Sequence, residues 1–160
     1  MKTATISEIK HELSVINPSV LIELCLQLAK FKKDNKELLT YLLFESHDEG
    51  AYIEQVKLAI DAQFETINYS TVYFIKKSLR KIVRLTAKYI RLTGSKQVEV
   101  ELLLYFCKTL IKKDIPIDKS PVLNNIYQLQ LKKTAQLIST FHEDLQYDYL
   151  KQYNQLQLLN

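Results

Sequence analysis

Between Thr66 and Val98, apolar side chains recur every three or four positions: Phe74, Ile75, Leu79, Ile82, Val83, Leu85, Tyr89, Ile90 and Leu92. At 100° per residue they share one side of a helix. Ser70 offers an N-cap at its start. Gly94 stops it, because the residue just past a helix end often needs positive φ, which glycine adopts without a Cβ penalty. The spacing therefore predicts an amphipathic helix over 70–93, roughly 24 residues and about 36 Å long.

The same periodicity predicts the other elements. Ile6, Ile9 and Leu13 mark a short helix from Ile6 to Val15. Asn17-Pro18 opens the next, with Asn as cap and Pro at the first helical position, where its missing N–H costs nothing. It runs to about Lys32 and carries Leu21, Leu24, Leu28 and Phe31. Asp34 or Asn35 caps a third helix, in which Leu38, Leu39, Tyr41, Leu42, Leu43 and Phe44 lie nearly all round. A helix apolar on most sides belongs in the middle of the packing. Leu42 and Phe44 are therefore expected in the core, together with Leu103 and Phe106.

After a break at Ser46–Gly50, Ile53, Val56, Ile60, Phe64 and Ile67 predict a fourth helix over 51–68. Beyond Gly94, a Leu-rich stretch predicts a helix to about Lys113. The longest connection follows, and 114–121 is the candidate linker. Leu123, Tyr127, Leu131, Thr134, Ile138 and Phe141 then mark a seventh helix. Leu145, Tyr149, Gln152, Leu156 and Leu159 give the last a two-heptad seam. That seam suits docking on the protein's own body or pairing with a second copy as a homodimer.

Only two glycines and three prolines occur in 160 residues. All-β folds use both freely in turns, so their scarcity agrees with long helices and short connections. The expected fold is all-α, a single domain over 1–160 of seven or eight consecutive antiparallel helices. It forms either a compact bundle or a short HEAT-like right-handed helical array, although no repeat signature recurs. The run LAKFKKDNKELLTYLLFESHDE, the basic helix and VEVELLLYFC together resemble a group of small all-helical bacterial proteins of unknown function. The likeness spans most of Leu21 to Cys107. It implies an all-helical bacterial protein and carries no activity or site.

Charge changes the picture most at the 70–93 helix. The segment from Thr66 to Val98 holds eight of the 22 Lys and Arg and none of the 18 acids. The other 127 residues therefore carry 14 cations against 18 acids, a net −4. Lys76, Lys77, Arg80, Lys81, Arg84, Lys88 and Arg91 fall in an arc of about 140°, and Tyr69 and Tyr73 project within it. Such a stripe attracts a polyanion, and basic residues mixed with aromatics suit single-stranded nucleic acid, whose bases stack on rings. The plainer alternative is a solvated outer face neutralised by acids such as Glu54, Asp61 and Glu65.

Other chemistry has less to stand on. Glu8 and His11 have the Glu-x-x-His spacing of di-iron bundles, but such sites need two copies of it and two further carboxylates. His47 and His142 lack partners of matching spacing. There is no phosphate-binding glycine loop and no nucleophile elbow. No metal, no cofactor and no enzymatic activity are therefore expected. Cys25 and Cys107 lie in apolar stretches, as buried thiols of a reducing compartment do. The N-terminus lacks the apolar core of a secretory leader, and no apolar run nears the roughly 18 residues of a membrane span. A cytoplasmic location without membrane insertion is expected. The sequence points to a non-catalytic interaction or adaptor module with a protein partner, and secondarily to nucleic-acid binding through the 70–93 helix.

Overall fold

The computed structural model describes residues 2–158. Eight α-helices account for most of them, and no strand occurs among the described residues. The helices are α1 (Ile6–Val15), α2 (Pro18–Phe31), α3 (Lys33–Thr40), α4 (Glu49–Glu65), α5 (Val72–Thr93), α6 (Lys96–Lys112), α7 (Pro121–Ile138) and α8 (Glu143–Leu158). The fold is all-α.

The chain forms two compact units, Met1–Phe44 and Glu45–Asn160. The division does not fall in the candidate linker 114–121. That segment is anchored in the second unit, where Ile115 and Ile117 are buried.

The N-terminal unit is built by local signals. A capping box starts α1: the Thr5 hydroxyl accepts from the Glu8 N–H, and the Glu8 carboxylate accepts from the Thr5 N–H at 2.7 Å. Asn17 caps α2 through the Ser19 N–H, with Pro18 at the first helical position. Lys32, not Asp34 or Asn35, precedes α3 and makes no side-chain cap. Asn35 instead turns back, its Nδ2 donating to Leu28 O at 2.8 Å and pinning α2 to α3 at their turn. After Thr40 the chain widens into a π-helical segment, Tyr41–Glu45.

Here the core expectation fails in part. Leu103 and Phe106 are buried, but Leu42 and Phe44 are 55% and 67% exposed. All-round apolarity in this stretch does not mean all-round burial. The segment turns Tyr41 inward at 4% exposure and leaves its neighbours in water.

In the C-terminal unit α6 is central, packing against α4, α5, α7 and α8. That position explains its composition. Val98, Val100, Leu102, Leu103, Leu104, Phe106, Cys107 and Leu110 are all buried, which needs apolar residues on more than one side. Around it, α4 contributes Val56, Ile60 and Phe64, and α5 contributes Ile75, Leu79, Ile82 and Ile90. Phe64 and Phe106 meet in a tilted pair with ring centroids 5.7 Å apart. Buried hydroxyls are satisfied locally: Thr86 donates to Ile82 O and Thr134 to Gln130 O.

The C-terminal seam is used inside this unit. Tyr149 and Leu156 are buried, Tyr149 donates to Glu101, and Tyr127 donates to Leu156 O at 3.1 Å. Tyr149 and Leu156 thus dock on the protein's own body, while Leu145 of the same seam stays 38% exposed. Leu159, the last residue of that seam, lies outside the described residues.

Candidate polyanion-binding trough

The site is set by how α5 is started, stopped and oriented. Thr71, one residue after the expected Ser70, caps it by accepting from the Phe74 N–H, and Gly94 ends it at φ +62°. Between these ends the apolar side seats Ile75, Leu79, Ile82 and Ile90 in the core, so the cationic side must face out. Helix α7 packs beside α5. Its core stripe of Leu123, Tyr127, Leu131 and Ile138 is buried. A second stripe, Val122, Ile126 and Leu129 at 4,3 spacing, lies along the trough between the two helices.

This trough, about 800 Å³, is open to solvent and has two unlike walls. From α5 come Tyr73, Lys76, Lys77, Arg80, Val83 and Arg84. From α7 come Val122, Asn125, Ile126, Leu129 and Gln130. One wall carries four cations; the other is aliphatic with two amides. No carboxylate lines either. Val122 and Leu129 stand 41% and 63% exposed while Ile126 between them is buried, so the apolar wall is the rim of the core with two side chains left in water.

Of the candidate residues, the structure brings Tyr73, Lys76, Lys77, Arg80 and Arg84 together here. Tyr69, Lys81, Lys88 and Arg91 do not line the trough. Tyr69 precedes α5, Lys81 and Arg91 are exposed on its outer side, and Lys88 is half-buried. The Tyr73 ring is held at the mouth, edge-on to Phe74 with centroids 5.4 Å apart and with Lys76 Nζ 5.5 Å from its own centroid. Arg84 Nε donates to Arg80 O one turn earlier, which lays its guanidinium along the helix.

The acids that could have neutralised the stripe are engaged elsewhere. Glu54 pairs with Lys57 at 2.7 Å, Asp61 accepts from the Tyr105 hydroxyl at 2.6 Å, and Glu65 pairs with Lys113. Glu99, at the start of α6, takes Lys133 at 2.6 Å. Among the described residues no carboxylate forms an ion pair with Lys76, Lys77, Arg80, Lys81, Arg84 or Arg91. The cationic wall is therefore not neutralised by these acids.

A second polar hollow, about 220 Å³, contrasts with it. Asp61, Glu65, Tyr105, Lys108, Lys112 and Lys113 line it, and its acids already hold internal partners. The Tyr105 phenol is pushed up to about 12, first by desolvation and then by its bond to Asp61, so it stays a donor. Burial likewise pushes the Cys107 thiol to about 12, which removes it as a nucleophile. No three His, Cys, Asp or Glu side chains among the described residues come close enough to hold a metal ion. No described helix is long and apolar enough to cross a membrane.

Comparison with protein-family models, curated proteins and solved structures finds no match.

The α7 wall was missed in the sequence. Its signal was there: Val122 and Leu129 are apolar beside the buried stripe, which a helix with a single buried face does not need.

Proposed function

We propose that the protein is a non-catalytic binding module and that the α5/α7 trough holds an acidic protein partner. One observation carries this reading: four cations face an aliphatic wall, exposed at Val122 and Leu129, across a trough that has no acid of its own. An amphipathic helix with aliphatic residues on one edge and carboxylates on the next would cover both walls at once. Electrostatics would then set orientation, and the apolar wall would add the burial that charge pairs in water lack.

A labelled acidic amphipathic peptide, followed by fluorescence anisotropy, tests it. Binding should be lost in the Lys77→Gln/Arg80→Gln/Arg84→Gln variant and weakened in Leu129→Ser. A peptide of the same charge with its apolar residues scrambled should bind less well. Equal binding of the two peptides, or indifference to Leu129→Ser, would reject the protein-partner reading.

Nucleic acid is the second reading, favoured by the exposed rings of Tyr69 and Tyr73 beside the cations. It makes a different demand. On a labelled single-stranded oligonucleotide, the triple variant should flatten the slope of log K against log salt by about two units for three lost phosphate contacts. Tyr73→Ala should cost about 1–3 kcal/mol at nearly unchanged slope, because stacking releases no counterions. Absence of oligonucleotide binding at low salt would exclude it.

A further inference from the structure

The turn of the α2–α3 hairpin is the second place where cations crowd. Four lysines and one acid fall between Lys30 and Lys36. The hairpin sorts its charge by side. One crevice, about 640 Å³, is lined by Lys30, Lys33 and Lys36 beside Leu26, Leu43 and Phe44, and no carboxylate lines it. The other, about 260 Å³, has no charged side chain. Lys33 meets Glu37 only at 3.9 Å and with its own side chain 85% exposed, a pair too loose and too wet to hold it.

Leu26, Leu43 and Phe44 stand 49%, 63% and 67% exposed beside these lysines. Apolar exposure does not stop at this face, because Ile22, Phe31 and Leu42 are in water too. A folded partner seated on one face would leave the others wet. A bilayer is fluid and closes around whatever enters it, so scattered apolar exposure suits it. The cations narrow the choice further. All are Lys, a point charge on a flexible stem, without the rigid fork by which Arg grips one fixed partner. Such stems lie along apolar surface while the ammonium stays in water, which is what an interface of headgroups over acyl chains demands.

We infer that the lysine face of the α2–α3 hairpin docks on an anionic lipid bilayer. Lys30, Lys33 and Lys36 sit at the level of the lipid phosphates, and Leu26, Leu43 and Phe44 enter the acyl boundary. Charge selects the anionic surface, and the apolar side chains hold the hairpin there. It lies in the interface and does not span it, since no described helix is long and apolar enough to cross. This inference stands apart from the trough, whose lining residues all belong to the other unit.

Flotation of the full chain tests it, with vesicles of phosphatidylcholine alone and with vesicles containing one-third phosphatidylserine. The chain should float with the second and not with the first, and added salt should release it. Lys30→Gln/Lys33→Gln/Lys36→Gln should weaken binding about 100-fold, since each Lys near an anionic surface contributes roughly a factor of five. Phe44→Ser should weaken it about tenfold. Circular dichroism checks that both variants remain helical. Lys77→Gln/Arg80→Gln/Arg84→Gln, which strips the trough of charge, should float nearly as well as the unmodified protein. The chain has no Trp, so Phe44→Trp reports one position. Its emission should shift to the blue on the anionic vesicles and be quenched by lipids brominated along the acyl chain. No flotation at low salt would overturn the inference, and is the result expected if an acidic protein covers the face instead. Indifference to Phe44→Ser, an unquenched Phe44→Trp, or binding lost with the trough variant and kept with the lysine variant would each overturn it as well.

Discussion

The N-terminal and C-terminal units use the same helix-forming vocabulary and treat apolar side chains in opposite ways. In the first, Tyr41 is the one buried hydrophobic among the described residues, while Ile6, Ile22, Phe31, Leu43 and Phe44 are each more than 60% exposed. In the second, α6 alone buries nine side chains. Apolar content does not separate them; the number of neighbours does. Three short helices cannot enclose one another, whereas four longer ones, α4, α5, α7 and α8, pack around α6. The first unit is held by caps and turns, and the second by packing.

The widest gap between them should appear in native-state hydrogen exchange. Amides of α6 should exchange only through global opening, of the order of 5–15 kcal/mol for a domain of this kind. Amides of α1 should exchange through local fraying, orders of magnitude sooner. Comparable protection in α1 and α6 would break the comparison.

Next in size is a pair of truncations read in denaturant melts. Phe106→Ala should cost about 3–5 kcal/mol, because the ring is 1% exposed and leaves a cavity beside Phe64. Phe31→Ala, at 77% exposure, should change stability by no more than about 0.5 kcal/mol.

The units should also fail at opposite ends of the pH scale. Tyr105 and Tyr149 are raised from 10.0 to about 12, and Cys107 from 9.0 to about 12, chiefly by burial. Folding holds these protons longer than the unfolded chain does. The stability they contribute is whole below about pH 9 and drains away as pH climbs toward about 12. Tyr149→Phe should flatten that alkaline loss in melts run across a pH series. In α1 the sign reverses. Glu8 is held below its ordinary 4.5, first by the Thr5 N–H and then by the Thr5 hydroxyl. Its cap is whole above 4.5 and released as pH falls, so acid should fray α1 in amide spectra while α6 stays protected.

Smallest is Gly94→Ala. Nothing lies within 4 Å of the added Cβ, so only the φ of +62° opposes it. A cost of about 1 kcal/mol is expected, enough to lower the melting temperature of the C-terminal unit without opening it.

What the sequence could disclose follows from range. Helix ends are written in one to four neighbouring residues, so Asn17-Pro18 and Gly94 were legible, and Ser70 missed the true cap Thr71 by one place. The cationic arc of α5 was legible for the same reason. The trough was not, because its second wall comes from Val122 to Gln130, some 40 residues away, and pairing at that distance leaves no local mark. The misplacement of Leu42 and Phe44 has a different cause. Periodicity assumes 3.6 residues per turn, and the π-helical step at Tyr41–Glu45 breaks that count.

The uneven distribution of charge has a kinetic side as well. With eight cations concentrated in 66–98 and a net −4 elsewhere in the chain, α5 and its surroundings generate a directed field. An anionic molecule passing within a Debye length, about 8–10 Å at ordinary ionic strength, is drawn toward that face before any contact is made. Productive collisions then become a larger share of all collisions, and added salt should slow association while leaving dissociation nearly untouched. Under the proposed function, how soon the trough is found and how long it stays occupied would be governed by different residues, the first by Lys77, Arg80 and Arg84 and the second by Val122, Ile126 and Leu129.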